Sequence, residues 1–148
     1  MYSVNLIVET VNAGNPAVYT NMLCKHYFMN KTILIVDDSD FVIQMISFTL
    51  EQEGYTTLSG IDGKDALKHF DGKPIDLVIT DLNMPNMDGL QLLSVLKAKT
   101  EWKKVPFVMI TTEGSHNKVL EAVNLGAAGY VRKPFTAEQI MEKLVGLV

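Results

Sequence analysis

Groups able to bind a cation and a phosphoryl group follow four apolar, strand-like runs of this chain. Asp37 and Asp38 follow the first such run, Asp81 follows a run in the middle of the chain, and Thr111 and Lys133 follow two later ones. In an open parallel sheet, the carboxyl ends of the strands form the edge at which ligands bind. Carboxylates together with a hydroxyl and an ammonium group suit a divalent cation and a phosphoryl group. We therefore expect these five side chains to meet at one site.

The elements that must position these groups alternate between strand-like and helix-like patterns from residue 31 to residue 148. This alternation predicts an α/β fold with a parallel sheet. The strand-like runs are continuously apolar, which is expected when helices cover both faces of the sheet, so we predict a doubly wound five-stranded arrangement. The predicted strands are residues 31–36, 55–58, 75–80, 105–110 and 129–131.

Helix caps support these boundaries. Ser39, Asp88 and Thr136 each stand just before a helix-like pattern, and their side-chain oxygens can accept hydrogen bonds from the first free N–H groups of a helix. Gly54 lies where a glycine is expected after the first helix. For Asp88, capping is the interpretation that we prefer to any role in chemistry.

Bulk properties favour one soluble domain. The 148 residues are 47% hydrophobic and 20% charged, and no apolar run approaches the length of a membrane span. The net charge of −4 argues against non-specific binding to nucleic acid, which needs a basic surface. Cys24 is the single cysteine, so an internal disulfide is excluded. We expect a cytoplasmic protein that binds neither nucleic acid nor membrane.

Residues 1–28 do not fit the alternating pattern. We interpret them as an irregular N-terminal extension, either a short added element or a flexible tail, and residues 29–148 as the folded domain. The extension contributes none of the candidate site residues, which makes it dispensable for the chemistry. A monomer is expected, although self-association through the extension is an alternative.

Four motifs resemble the receiver domain of bacterial two-component response regulators, and among these the single-domain chemotaxis regulators of the CheY type. The motifs are residues 36–38, 81–89, 110–113 and 129–135, and each includes the end of a predicted strand. Any one of them is a weak signal, whereas four in this order are a strong one. The resemblance implies a flavodoxin-like (βα)5 receiver fold over residues 31–148.

The resemblance also implies a phosphoacceptor and its cation. Asp81 would accept a phosphoryl group as a covalent nucleophile. Mg²⁺ would be held directly by Asp38 and Asp81, through water by Asp37, and by the backbone carbonyl of Asn83. Oxygen ligands of this kind are those that Mg²⁺ prefers.

Further site residues come from the same resemblance. Thr111 and Lys133 would each bind a phosphoryl oxygen, and the peptide bond that follows Lys133 would be cis. Thr111 and Tyr130 would form the switch that responds to phosphorylation. Asn83 and Glu113 would tune dephosphorylation and give a phosphoryl lifetime of seconds to minutes.

The function implied is a phosphorylation-activated signalling switch, not a metabolic enzyme. A histidine kinase would supply the phosphoryl group, and an output protein such as the flagellar motor switch would bind the modified form. A phosphorelay intermediate that passes the group to a histidine phosphotransfer protein shares the same site and is the alternative. A magnesium-dependent phosphohydrolase is disfavoured, because Asp37 and Asp38 are adjacent where the haloacid dehalogenase family has an Asp-x-Asp motif.

Overall fold

Five parallel strands form one sheet in the computed structural model, which describes residues 31–112 and 116–148. Their order across the sheet is β2-β1-β3-β4-β5, so β3 is the central strand. The predicted doubly wound α/β fold is confirmed. The strands are β1 (Thr32–Val36), β2 (Thr56–Gly60), β3 (Leu77–Asp81), β4 (Phe107–Thr111) and β5 (Gly129–Arg132).

Helices connect successive strands and follow the last one. Side chains of Ser39, Asp62, Asp88 and Thr136 accept hydrogen bonds from N–H groups of the first turns, which explains where four of the helices begin. The helices are α1 (Asp40–Gln52), α2 (Gly63–Leu67, followed by a 3-10 turn at Lys68–Phe70), α3 (Gly89–Lys97), α4 (His116–Asn124) and α5 (Ala137–Leu144).

Two apolar layers enclose the sheet. Side chains of α1 and α5 pack on one face, and side chains of α2, α3 and α4 pack on the other. Strand β3 serves both layers, because Leu77 and Ile79 belong to the first and Val78 and Leu82, just past its end, belong to the second. Burial on both faces is the physical reason for its continuously apolar sequence.

Strand ends differ slightly from the sequence prediction. Strands β3 and β4 begin two residues later and end one residue later than predicted, so Asp81 and Thr111 are the last strand residues rather than the first loop residues. Pairing continues through this point, since Asp81 is in register with Ile110 and the Leu82 N–H donates to the Ile110 carbonyl at 3.0 Å. The backbone of both chemical groups is therefore fixed by the sheet.

Strand β2 also begins later than predicted. Tyr55 was expected to open it, but its N–H donates to the Leu50 carbonyl at the end of α1 and its ring is buried in the α1–α5 layer. Residues 1–28, predicted as an extension, lie outside the described residues. No helix within the described ranges is long and apolar enough to cross a membrane.

Candidate functional site

Three carboxylates meet at the carboxyl edge of the sheet. Asp37 and Asp38 follow β1, Asp81 ends the adjacent strand β3, and one oxygen from each lies within 4.8 Å of the others. Asp37 and Asp81 are buried, whereas Asp38 is exposed. The adjacency of β1 and β3 in the strand order brings these residues together, as the sequence predicted.

Backbone hydrogen bonds fix the orientation of the buried acids. The Asp37 N–H donates to the Gly60 carbonyl at 3.1 Å, and the Ser39 N–H donates to Asp37 Oδ1 at 2.9 Å. The Asn83 N–H donates to Asp81 Oδ1 at 3.3 Å. Each buried carboxylate thus has one oxygen, Oδ1, bound by a backbone N–H group, which leaves Oδ2 for other contacts.

Lys133 bridges these second oxygens. Its Nζ lies 3.1 Å from Asp37 Oδ2 and 3.2 Å from Asp81 Oδ2. The Lys133 N–H donates to the Thr111 carbonyl at 2.7 Å, which attaches the residue that follows β5 to the end of β4. The peptide bond between Lys133 and Pro134 is cis, as predicted from the sequence. Elements from both ends of the domain therefore converge on one cluster of charges.

The charges of the cluster perturb one another. Burial raises the pKa of Asp37, and the nearby negative charge of Asp81 adds to this, while the Ser39 N–H and Lys133 oppose it. Burial alone would lower the pKa of Lys133, but its hydrogen bonds and attraction to Asp37 and Asp81 are stronger, so that pKa is raised. The lysine is therefore a fixed positive charge, and the two buried acids repel each other.

Thr111 and Tyr130 occupy neighbouring strands beside this cluster. Thr111 is buried and pairs with Arg132 across β4 and β5. Tyr130 lies on β5 and is 49% exposed as a residue, and the Lys143 ammonium lies 5.8 Å from its ring centroid. Thr111 thus lies at the carboxyl edge as predicted, and Tyr130 is accessible at the surface. Glu113 lies outside the described residues.

The loop that follows Asp81 is tied to the β2–α2 connection, which sequence reasoning missed. Asn86 Nδ2 donates to Asp62 Oδ2 at 2.8 Å, and the Gly63 N–H donates to the Met87 carbonyl at 3.0 Å. Asn86 has φ of 65°, a conformation that asparagine adopts more readily than most residues. Hydrogen bonds from Asp65 and Asn86 lower the pKa of Asp62. The sequence pattern did not predict Asp62 as a site residue.

A lysine at the mouth of the cluster was also missed. Lys118, in the first turn of α4, donates from Nζ to Asn83 Oδ1 at 2.7 Å. Asn83 is exposed and lies two residues after Asp81. The pairing spans 35 residues of sequence, and nothing in the spacing of the two residues indicates it. It brings a second ammonium group near the three acids.

The donor set fits a hard divalent cation. Three carboxylates supply oxygen ligands close together, and one of them, Asp38, is open to solvent. Mg²⁺ is bound through a small number of carboxylates while it keeps several waters, so an edge-exposed cluster suits it. Burial is the main cause of the raised pKa of Asp37, and a dication would relieve the repulsion from Asp81 that adds to it.

Comparisons with known proteins decide the family. The family described as "Response regulator receiver domain" matches residues 33–145. The chain belongs to this family. The receiver domain is 40% identical over 116 residues to the chemotaxis protein CheY-3 of Vibrio cholerae, covering 78% of this chain and 89% of that protein. It is 39% identical to the chemotaxis protein CheY of Pseudomonas aeruginosa, with coverage of 76% and 91%.

Solved structures agree with this assignment. The chemotaxis response regulator CheY4 of Vibrio cholerae superposes with a TM-score of 0.74 at 35% identity, covering 80% of this chain and 98% of that one. A receiver domain from Clostridium thermocellum gives 0.73 at 29% identity, with coverage of 79% and 93%. The receiver domain described here is thus a signalling module of the CheY-like type and does not belong to a family of metabolic enzymes.

Proposed function

We propose that this receiver domain is a phosphorylation-activated switch of a two-component system, with Asp81 as the phosphoacceptor. The observation that carries this proposal is the convergence of Asp37, Asp38, Asp81 and Lys133 at the end of the central strand. Catalysis of phosphoryl transfer consists mainly of positioning and of neutralising charge on the phosphoryl oxygens. The cluster supplies a positioned nucleophile and a positive charge, and it suits a dication.

The transfer step follows from these positions. A carboxylate oxygen of Asp81 attacks phosphorus, and a new P–O bond forms while the P–N bond of a phosphohistidine donor breaks. The electron pair of that bond leaves with the imidazole nitrogen, which takes up a proton. Lys133 exchanges its contact with Asp81 for one with a phosphoryl oxygen and remains paired with Asp37. The Thr111 hydroxyl, at the end of β4, donates a hydrogen bond to another phosphoryl oxygen.

Magnesium completes the proposed site. Asp38 and Asp81 would bind Mg²⁺ directly, Asp37 through water, and Asn83 through its backbone carbonyl. Bound there, the cation would supply the positive charge that the developing phosphoryl oxygens need. Without the cation, the Lys133 ammonium group opposes the negative charges of Asp37 and Asp81.

Partners are proposed from the relatives. The chemotaxis proteins CheY-3 and CheY are 40% and 39% identical to this chain over 116 and 113 residues, respectively. We therefore propose a cytoplasmic role in chemotaxis, with a histidine kinase as phosphodonor and a flagellar motor switch protein as output partner. The phosphoryl-dependent change would combine movement of Thr111 toward the phosphoryl group with inward rotation of the half-exposed Tyr130.

Replacement of the nucleophile tests the proposal. With a small acyl phosphate and Mg²⁺, the wild-type chain should gain one phosphoryl group, and Asp81→Asn should gain none, because an amide cannot form the acyl phosphate. Intact-mass spectrometry measures the gain. Asp71→Asn, at an exposed turn, is the matched control and should be labelled like the wild type.

Two results would contradict this assignment. One is labelling of Asp81→Asn at the wild-type level. The other is full labelling of the wild type in excess chelator, which would remove magnesium from the proposed chemistry. Transfer from Asp81 to a histidine phosphotransfer protein, at a rate above hydrolysis, would instead favour the phosphorelay alternative.

A further inference from the structure

Lys118 contacts the candidate site from outside the proposed catalytic set. Its ammonium group donates to Asn83 Oδ1 at 2.7 Å, and the backbone N–H of Asn83 donates to Asp81 Oδ1 at 3.3 Å. Asn83 therefore connects helix α4 to the proposed phosphoacceptor through two consecutive hydrogen bonds. Lys133 contacts the other oxygen of Asp81 directly, whereas Lys118 reaches Asp81 only through Asn83.

The bond to Lys118 has a defined polarity. An ammonium group can only donate, whereas a primary amide has an accepting oxygen and a donating nitrogen. Lys118 therefore binds the oxygen of the Asn83 amide at 2.7 Å, and because this charge-assisted contact joins two exposed side chains, we treat it as a hydrogen bond of ordinary strength. Because its oxygen is bound by Lys118, the amide has its N–H groups left for other partners, and these can donate but cannot accept.

That orientation matters for loss of the phosphoryl group. In hydrolysis, the oxygen of a water molecule bonds to phosphorus, the P–O bond to Asp81 breaks, and its electron pair returns to the carboxylate. The protons of the water pass to inorganic phosphate and solvent. Such a water is best oriented by a group that accepts hydrogen bonds from it. The side-chain amide oxygen of Asn83, Oδ1, is a nearby candidate. Lys118 competes for that oxygen.

We propose that Lys118 is a positioning residue that holds the Asn83 amide oxygen away from the hydrolytic water and so prolongs the lifetime of phospho-Asp81. This inference rests on the proposed function of Asp81. It assigns a role in timing to a contact between α4 and the loop after β3. Lys118 itself touches none of the reacting atoms and acts through Asn83.

Lys118→Met tests the proposal, because methionine keeps the length and apolar stem of the side chain but cannot donate. After labelling with a small acyl phosphate and Mg²⁺, the donor is removed and the phosphoryl group remaining is followed by intact mass. We expect Lys118→Met to lose it about three- to tenfold faster than the wild type, the range that one hydrogen bond of ordinary strength supports. Lys118→Arg, which still donates, should decay within about twofold of the wild type.

Two controls separate this role from a general effect of charge or structure. Lys103→Met removes the same charge at an exposed position before β4, at the opposite edge of the sheet, and should leave the decay unchanged. In an Asn83→Ala background, Lys118→Met should have no further effect, because the amide through which it acts is gone.

The outcomes distinguish the two proposals. Absence of labelling in the wild type would contradict the proposed function of Asp81. Normal labelling with equal or slower decay of Lys118→Met would overturn the role of Lys118 alone. An acceleration that persists in the Asn83→Ala background would also overturn it, since Lys118 would then not act through Asn83.

Discussion

Helices α3 and α4 stand in equivalent places but are attached to the sheet very differently. Each follows a strand that ends in a candidate site residue, Asp81 for α3 and Thr111 for α4. Helix α3 buries Gly89 and four leucines, whereas Ala122 is the buried residue of α4. Leu120 and Val123 of α4 each remain 50% exposed.

The difference in packing gives the two helices different expected roles. Helix α3 holds the site in place, and helix α4 can move. Close packing of α3 holds the loop that carries the proposed phosphoacceptor, and the Asp62–Asn86 bond holds its far side. Sparse packing leaves α4 among the parts of the domain that can shift at low free-energy cost. A switch needs a fixed helix and a movable one. The phosphoryl group can shift α4 only if Asp81, to which it is attached, stays in place.

The largest expected difference between α3 and α4 is in the free energy of unfolding lost when a leucine of each helix is truncated to alanine. Leu93 of α3 is fully buried, so Leu93→Ala should lower the free energy of unfolding by about 3 kcal/mol through lost burial and a residual cavity. Leu120→Ala, on α4, should change it by less than about 0.5 kcal/mol. Urea denaturation measures both. Equal losses would mean that α4 is held as firmly as α3.

Added methyl groups test how closely α3 is seated on the sheet, with a glycine on β5 as the control. A Cβ at Gly89 would overlap the backbone oxygen of Asp81 and lie 3.1 Å from Leu82 Cα, so Gly89→Ala should cost about 2 kcal/mol by forcing the helix from the strand end. A Cβ at Gly129 would meet only Lys143 Cδ at 3.8 Å, and Gly129→Ala should be nearly neutral. Thermal unfolding in the same buffer compares the two variants. A neutral Gly89→Ala would show that α3 is not tightly seated.

A smaller effect on stability is expected from the buried charge of Asp37. The raised pKa of Asp37 means that folding favours its protonated form, so this group contributes most to stability below its unfolded pKa of 3.8, and the contribution is lost as pH rises through the raised value. In chelator at neutral pH, Asp37→Asn should therefore be more stable than the wild type, by on the order of 1 kcal/mol.

The pH dependence is the check on that prediction. The advantage of Asp37→Asn should shrink as the pH falls toward 3.8, because the wild-type carboxyl is then neutral in both states. Asp38→Asn is the matched control, and its exposed side chain should give a smaller change. A loss of stability in Asp37→Asn at neutral pH would show that the hydrogen bond from Lys133 outweighs the burial of charge.

Much of the fold could be predicted because its signals are local. Apolar runs, helix caps and the alternation of elements depend on residues close in sequence, and they located all five strands to within a few residues. The approach of Asp37, Asp81 and Lys133 was predictable for a topological reason, since parallel strands bring their carboxyl ends to one edge. Strand ends were misplaced because pairing with neighbours, which extends β3 through Asp81, is not a local property.

Contacts made by the loop that follows β3 could not be predicted. Asp62 with Asn86 and Lys118 with Asn83 are separated by 24 and 35 residues, and each partner has an ordinary local explanation as a cap, a turn residue or a surface lysine. Their meeting depends on the path of loops in three dimensions. No periodicity encodes that path, whereas periodicity does encode the buried faces of strands.

The two-sided burial of β3 makes the site sensitive to the number of residues before it. Leu77 and Ile79 serve one apolar layer and Val78 the other, and this alternation fixes the side on which the carboxylate of Asp81 emerges. One residue gained or lost within Leu77–Asp81 would exchange the layers and misdirect the acid. The same change at the exposed residues 71–74 could be absorbed as a longer or shorter turn. Lineages of this chain should therefore vary in length in that turn and keep a constant count along the strand.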